Sequence, residues 1–168
     1  MRITIRSETP RDIEAIEALT ALAFLDAPHA SHTEQFIING LRKAGQLSVS
    51  LVAEDRDGIV GHVALSPVTL SDGSVGWYGL GPISVTPERQ GQGIGSRLME
   101  RVLAMLREKG ASGCVLLGDP NYYSRFGFKA EPSLVLPRVP AEYFQAIAFQ
   151  GAIPAATVSF HEAFDTQG

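Results

Sequence analysis

Residues 88–103, ERQGQGIGSRLMERVL, place glycines at 91, 93 and 95 directly ahead of an apolar helical repeat. Glycine adds no side-chain chemistry and loses more conformational freedom on folding than any other residue. Glycines at alternate positions therefore mark backbone that must turn sharply or be approached closely. Beyond them Ile94, Leu98, Val102 and Leu106 recur every four residues, Glu100, Arg101, Arg107 and Glu108 fall elsewhere, and Lys109-Gly110 ends the pattern. A strand, a turn of exposed amides and the positive end of a helix hold a polyanion without any lysine. The N–H groups of the first turn lack acceptors within the helix, and the peptide dipoles add. A pyrophosphate is the natural guest; the plain alternative is a glycine turn that only packs strand to helix.

Two nucleotide motifs fail here. A dinucleotide fingerprint needs G-x-G-x-x-G in a parallel βαβ unit, but the sixth residue counted from Gly91 is Ser96. A P-loop needs G-x-x-x-x-G-K-[ST], and neither the glycine spacing nor the lysine is present.

Outward from this stretch the chain alternates strand and helix signals. RITIR near the start reads as a strand, Thr9-Pro10 as N-cap and first helical residue, and Ile13, Ile16, Leu19 and Leu22 as the stripe of a first helix. SHTE, residues 31–34, has capping-box spacing and opens a second helix that stops near Gly45. Three strands are predicted at about 47–54, 59–70 and 75–85, with Asp57-Gly58 and Asp72-Gly73 as antiparallel turns. GCVLLG follows the glycine-led helix as an apolar strand, and Asp119-Pro120 caps a brief helix carrying Asn121, Tyr122 and Tyr123. The remainder reads as extended structure, a small helix over about 141–148 and a last strand near 157–164. The order of elements predicts an α/β sheet with helices on both faces.

The length of 168 residues, 45% hydrophobic and 19% charged, suits a single globular domain over 1–168. A net charge of -4 with scattered basic residues argues against a nucleic-acid partner. The lone Cys114 fits a reducing compartment, and no window reaches the ~20 apolar residues of a membrane span, so a cytoplasmic location is expected.

Two motifs resemble those of the GNAT superfamily of acyl-CoA-dependent N-acyltransferases. QGQGIG, residues 90–95, matches its Q/R-x-x-G-x-G/A signature, and YYSRFGF, residues 122–128, matches its aromatic four residues before Gly-Phe. LGDPNYYSRFGF is especially similar to the YhbS-like bacterial branch. The resemblance implies a mixed, mostly antiparallel α+β sheet splayed between its fourth and fifth strands, with the pantetheine arm of acetyl-CoA in the gap. Gly79, Gly81 and Pro82 support a break in the fourth strand, since proline has no amide to give a neighbour. It further implies that backbone of Ile83, Ser84 and Val85 meets the pantetheine and thioester, and that Gln90, Gly91, Gln92, Gly93, Ile94, Gly95 and Ser96 cradle the pyrophosphate. Tyr123 takes the place of the family's general acid. An amine would attack the thioester directly in a ternary complex, with a strand N–H stabilising the oxyanion.

The pattern departs from the family at the base. Residues 75–85 and 113–117 contain no Asp or Glu, which leaves His62 in VGHVAL as the candidate base and Glu54, His29, His32 and Glu34 as further candidates. A lone histidine in an apolar strand is equally a core residue. The family's usual asparagine position is Leu116, and Asn121, close in the chain but not equivalent, is the candidate cofactor contact in its place. Cys114, among apolar neighbours, reads as a buried inert thiol, and Arg125 as a phosphate contact or a solvated side chain. Trp77, Tyr78 and the loop 26–32 are candidates to line the acceptor. The expected cofactor is acetyl-CoA as acyl donor, without a metal, and the partners are acetyl-CoA and an unidentified amine, with the chain a monomer or homodimer. An acyl-CoA-binding protein without transfer stays open as the alternative; a nucleotide-binding oxidoreductase fails at Ser96.

Overall fold

Ile3 and Ile5 alternate with charge at the chain start, and there the computed structural model, which describes residues 2–25 and 32–165, has its first strand, β1 (Thr4–Ser7). Backbone contacts divide the chain into two compact units. The first is built from segments running to Ser66, from Gly81 to Val102 and from Glu162 onward; the second from Pro67–Leu80 and Leu103–His161.

In the first unit, Thr9 and Pro10 lead into a single 3-10 turn, Pro10–Asp12, and then helix α1 (Ile13–Phe24). The Thr9 amide donates to Asp12 at 2.7 Å, and the Arg6 guanidinium grips the same carboxylate at 2.7 and 3.1 Å while also reaching Glu54. Hydrogen bonds from Arg6 hold the buried Asp12 carboxyl well below the usual carboxylate range. Helix α2 (Glu34–Lys43) starts after Thr33, two residues later than the SHTE pattern predicts; Ser31 lies outside the described residues. Strand β2 (Val49–Asp55) pairs antiparallel with β1 and with β3 (Gly58–Pro67), whose register runs from Val49↔Leu65 to Asp55↔Gly58. Ile16, Ile38 and Val52 pack together, so one face of α1 and of α2 is buried against β2, while Leu22, the last residue of the predicted α1 stripe, is exposed.

The strand predicted over 59–70 is divided. Pro67 lacks the amide that would continue the ladder, and a separate strand β4 (Thr69–Leu70) pairs elsewhere. The strand predicted fourth is therefore β5 (Trp77–Val85), which neighbours β3 in the sheet. Helix α3 (Ile94–Lys109) follows and closes as the sequence requires, with Gly110 at φ 80° and the amides of Gly110 and Ala111 returned to Arg107 and Leu106.

The second unit centres on β6 (Gly113–Leu117), in parallel register with β5 over Trp77–Gly79. After the short helix α4 (Pro120–Tyr123) come β7 (Lys129–Ala130), β8 (Leu134–Val135), β9 (Phe144–Ala148) and β10 (Ala156–Ser159). β9 pairs antiparallel with both β6 and β7, and a small sheet runs β4-β10-β8. Two expectations are corrected here. The stretch 141–148 is a 3-10 turn, Ala141–Tyr143, followed by a strand; Phe144, Gln145 and Ala146 are all buried, and without polar alternation such a run reads as either element. The last strand stops at Ser159, and Glu162–Asp165 is a 3-10 turn. Phe144 and Ala146 join Val68, Leu70, Trp77, Val115, Leu134 and Val158 in one core.

Candidate active site

The glycine loop is held by side chains rather than by its own amides. Gln90 Nε2 donates to the Val85 carbonyl at 3.0 Å, and Arg89 Nε donates to Gln92 Oε1 at 2.9 Å while its Nη1 pairs with the buried carboxylate of Asp55. Gly91 and Gly93 have φ of 77° and 84°, and a Cβ built on either would meet nothing within 4 Å. These glycines are thus required by the left-handed backbone rather than by close protein packing. The space above them is open, as a cradle for a diphosphate needs. Ile94 is buried and anchors the helix start, and the Arg97 amide returns to the Gly93 carbonyl at 3.1 Å as the first full turn of α3, so the Gly93 and Ile94 amides point out of the helix end. Upstream, the Gly81–Pro82 peptide is cis, Ile83 and Val85 are half-buried, and Ser84 is buried with its Oγ lacking a partner among the described residues. Ser96 lies half-buried in the first turn of α3. Replacing Gly93 by Val should destabilise the fold by about 1–2 kcal/mol, since a branched side chain is strained at φ 84°; urea titration measures it.

In the other unit Asp119 caps α4 as predicted, its carboxylate accepting from the Asn121 amide at 2.9 Å and its carbonyl from Tyr122 and Tyr123 at 3.0 Å. Tyr123 meets Tyr122 and Phe128 edge-on, at centroid distances of 4.9 and 6.4 Å. Burial pushes its phenol up to about 12, so it is protonated at neutral pH and able to donate. Arg125 folds back over Tyr122, 4.6 Å from its ring centre, with Nε on the Tyr122 carbonyl. Asn121 is exposed. Cys114 is fully buried and its thiol is pushed up by desolvation, the opposite of what an acyl-accepting thiolate needs. Trp77 belongs to the core, its ring against Gly113, and Tyr78 lies under Lys109.

The base candidates are placed as follows. His62 is buried, with Nε2 2.7 Å from Ser50 Oγ. That hydroxyl spends its proton on Glu8, which is gripped in turn by Arg42 at 2.7 and 2.9 Å. His62 Nε2 must therefore be the donor, which leaves Nδ1 as a lone pair with no partner among the described residues. Burial pushes this imidazole down to about 4, and its one open nitrogen is shut away from a diffusing amine. Glu54 is occupied by Arg6 at 2.8 Å, His32 is exposed at φ 63°, and Glu34 is buried at the start of α2. His29 and the loop 26–31 lie outside the described residues. Among the described residues no group of His, Cys, Asp and Glu side chains could hold a metal. Sequence reasoning missed the Arg89–Asp55 brace, which joins residues far apart in the chain, and Gly118 beneath the Tyr123 ring; the LGDP string contained the latter signal.

The predicted break at Gly81-Pro82 does not interrupt β5, although its register with β6 is confined to Trp77–Gly79; the class of protein follows from comparison with known proteins. The model of the acetyltransferase (GNAT) domain family matches residues 4–130, and the chain belongs to that family. It is 39% identical over 126 residues to the uncharacterized N-acetyltransferase YhbS of Escherichia coli K12, covering 74% of this chain and 72% of that one. A GNAT acetyltransferase from Brucella melitensis, solved in complex with acetyl-CoA, superposes with a TM-score of 0.88 at 46% identity over 98% of this chain and 99% of that one. Escherichia coli YhbS, solved with CoA, gives 0.89 at 33% over 100% and 94%. The strand arrangement, mixed and mostly antiparallel with helices, is that of GNAT structures.

Proposed function

We propose that this chain, as one acetyltransferase domain, transfers an acetyl group from acetyl-CoA to a primary amine in a ternary complex. The observation that carries the reading is the open loop at Gly91 and Gly93, left-handed and unfilled, at the start of a 16-residue helix. Its relatives from Brucella melitensis and Escherichia coli were solved with acetyl-CoA and CoA, which supports the same guest here. Amides from Gly91 to Ser96 would hold the pyrophosphate, with Gln90 and Gln92 bracing the turn, and backbone of Ile83, Ser84 and Val85 would take the pantetheine and thioester.

Acetyl-CoA supplies the activated acyl group; this chain orients it and manages protons. Tyr123 donates its phenolic hydrogen toward the sulfur as charge builds there. The amine arrives as its free base, and its proton leaves to solvent rather than through the shut-away His62. Asn121, exposed beside Tyr123, is the second contact proposed for the cofactor. No helix among the described residues is long and apolar enough to cross a membrane, and we place the reaction in the cytoplasm, where Cys114 stays reduced.

Calorimetric titration with acetyl-CoA, followed by thiol release across a panel of polyamines, amino sugars, peptide N-termini and lysine peptides, tests the reading. Binding at micromolar affinity with thiol release for one amine class is expected. Binding without release for any amine would favour an acyl-CoA-binding protein, and absence of binding would end the proposal.

A further inference from the structure

Gly118 sits between the end of β6 and the Asp119 cap, and its backbone is not in the left-handed region that favours glycine. Backbone conformation alone thus gives no reason for glycine here. Space does: a Cβ on Gly118 would lie 2.3 Å from Cε2 and 2.8 Å from Cδ2 of the Tyr123 ring. Real carbon atoms do not approach so closely, so either the ring or the Gly118 backbone would have to move. The backbone is clamped on both sides of the residue, by the end of the 3-10 turn Ala141–Tyr143 and by β9. The Gly118 amide donates to the Tyr143 carbonyl at 3.0 Å, and the Gly118 carbonyl accepts from Gln145 Nε2 at 3.0 Å. Gln145 is itself buried, with 1% of its surface exposed. The ring is the softer partner. It stands on a four-residue helix and meets its aromatic neighbours edge-on, contacts that a tilt of the ring weakens gradually, whereas moving Gly118 breaks one backbone hydrogen bond and the one from the Gln145 side chain.

From this geometry we infer that Gly118 is a positioning residue for Tyr123: the bare Cα is the seat on which the ring lies, and the Tyr143–Gln145 clamp fixes the height of that seat. This inference rests on the reading of Tyr123 as the proton donor only for its effect on turnover; the seating itself is a separate physical claim. A phenol must sit within a few tenths of an ångström of its hydrogen-bonding distance to serve a developing charge. A methyl group under the ring would shift the hydroxyl by more than that.

The test uses Gly118→Ala, Tyr123→Phe and the double variant, with turnover, KM for acetyl-CoA and a spectrophotometric tyrosine titration. Gly118→Ala is expected to lower kcat about tenfold or more with KM for acetyl-CoA within about twofold, and to add nothing in the Tyr123→Phe background. The Tyr123 titration, assigned by its loss in Tyr123→Phe, should fall from about 12 toward the ordinary tyrosine value as the ring is lifted out of its burial. A melting-temperature cycle covers a poorly folding variant: Gly118→Ala should be destabilising against Tyr123 and close to neutral in a Tyr123→Ala background, where the seat is vacant. Additive melting temperatures together with an unmoved titration would overturn the inference. Should Tyr123→Phe retain full kcat while the titration moves and the cycle is non-additive, the seating stands and the proton-donor reading fails.

Discussion

Replacing Tyr123 by Phe is expected to lower kcat by about 10²–10³-fold while leaving acetyl-CoA binding intact, the loss typical of removing one donor aimed at developing charge. The magnitude follows from what a phenol at about 12 is able to do. A thiolate is the weaker base, with an ordinary pKa near 8.5, so complete transfer of the phenolic proton to sulfur is uphill. Tyr123 therefore acts chiefly by a charge-assisted hydrogen bond that strengthens as the carbon–sulfur bond lengthens. Ring packing is preserved in the Phe variant, because the edge contacts to Tyr122 and Phe128 involve only the ring. The pH dependence has a sign. Burial raises this phenol, so kcat should show no descending limb attributable to Tyr123 below about pH 11, whereas a tyrosine at its ordinary value would begin to lose activity by pH 9. Stopped-assay thiol release from pH 7 to 10, on both proteins, measures loss and limb together. An unchanged kcat in the Phe variant removes Tyr123 from the chemistry.

Local signals carried much of this molecule. The Asp119-Pro120 cap, the glycine end of α3 and the Asp57-Gly58 hairpin are decided within a few residues of chain, and each stands in the structure where the sequence puts it. What failed was decided by neighbours. The run 144–148 became a strand because β6 and β7 flank it on both sides, a fact no periodicity in FQAIA contains. The glycines at 91 and 93 were legible as special, but sequence alone could not separate left-handed backbone from close packing; the open space above them does. His62 shows the same limit most sharply. Its identity suggested proton chemistry, while its tautomer and isolation depend on Glu8 and Ser50, which lie 54 and 12 positions away in the chain.

That isolation has a measurable consequence for stability. His62 titrates near its ordinary 6.5 when unfolded but is pushed down to about 4 in the fold, chiefly by burial, with Arg42 adding to the effect and Glu8 opposing it. Between those two values the unfolded chain binds a proton that the folded chain refuses. Stability is therefore fully present above about pH 6.5 and is lost as pH falls toward 4. The loss amounts to about 3 kcal/mol over the window, since every tenfold weakening of proton affinity on folding is worth about 1.4 kcal/mol. The structural reason is the lone Nδ1: protonation would create a buried N–H with no acceptor among the described residues. Urea titrations from pH 7.5 to 4 should show this slope in the native protein. His62→Gln, which keeps a donor for Ser50 and carries no charge, should flatten it down to about pH 4.5. Below that, both proteins should weaken together, because Arg6 and Arg42 hold the Asp12 and Glu8 carboxyls below their ordinary values and those contributions disappear on protonation. Parallel slopes for the two proteins between pH 6.5 and 4.5 would mean that His62 takes up a proton in the fold as readily as in the unfolded chain, and would reopen its neutral form as an acceptor of the amine's proton at pH 7 and above.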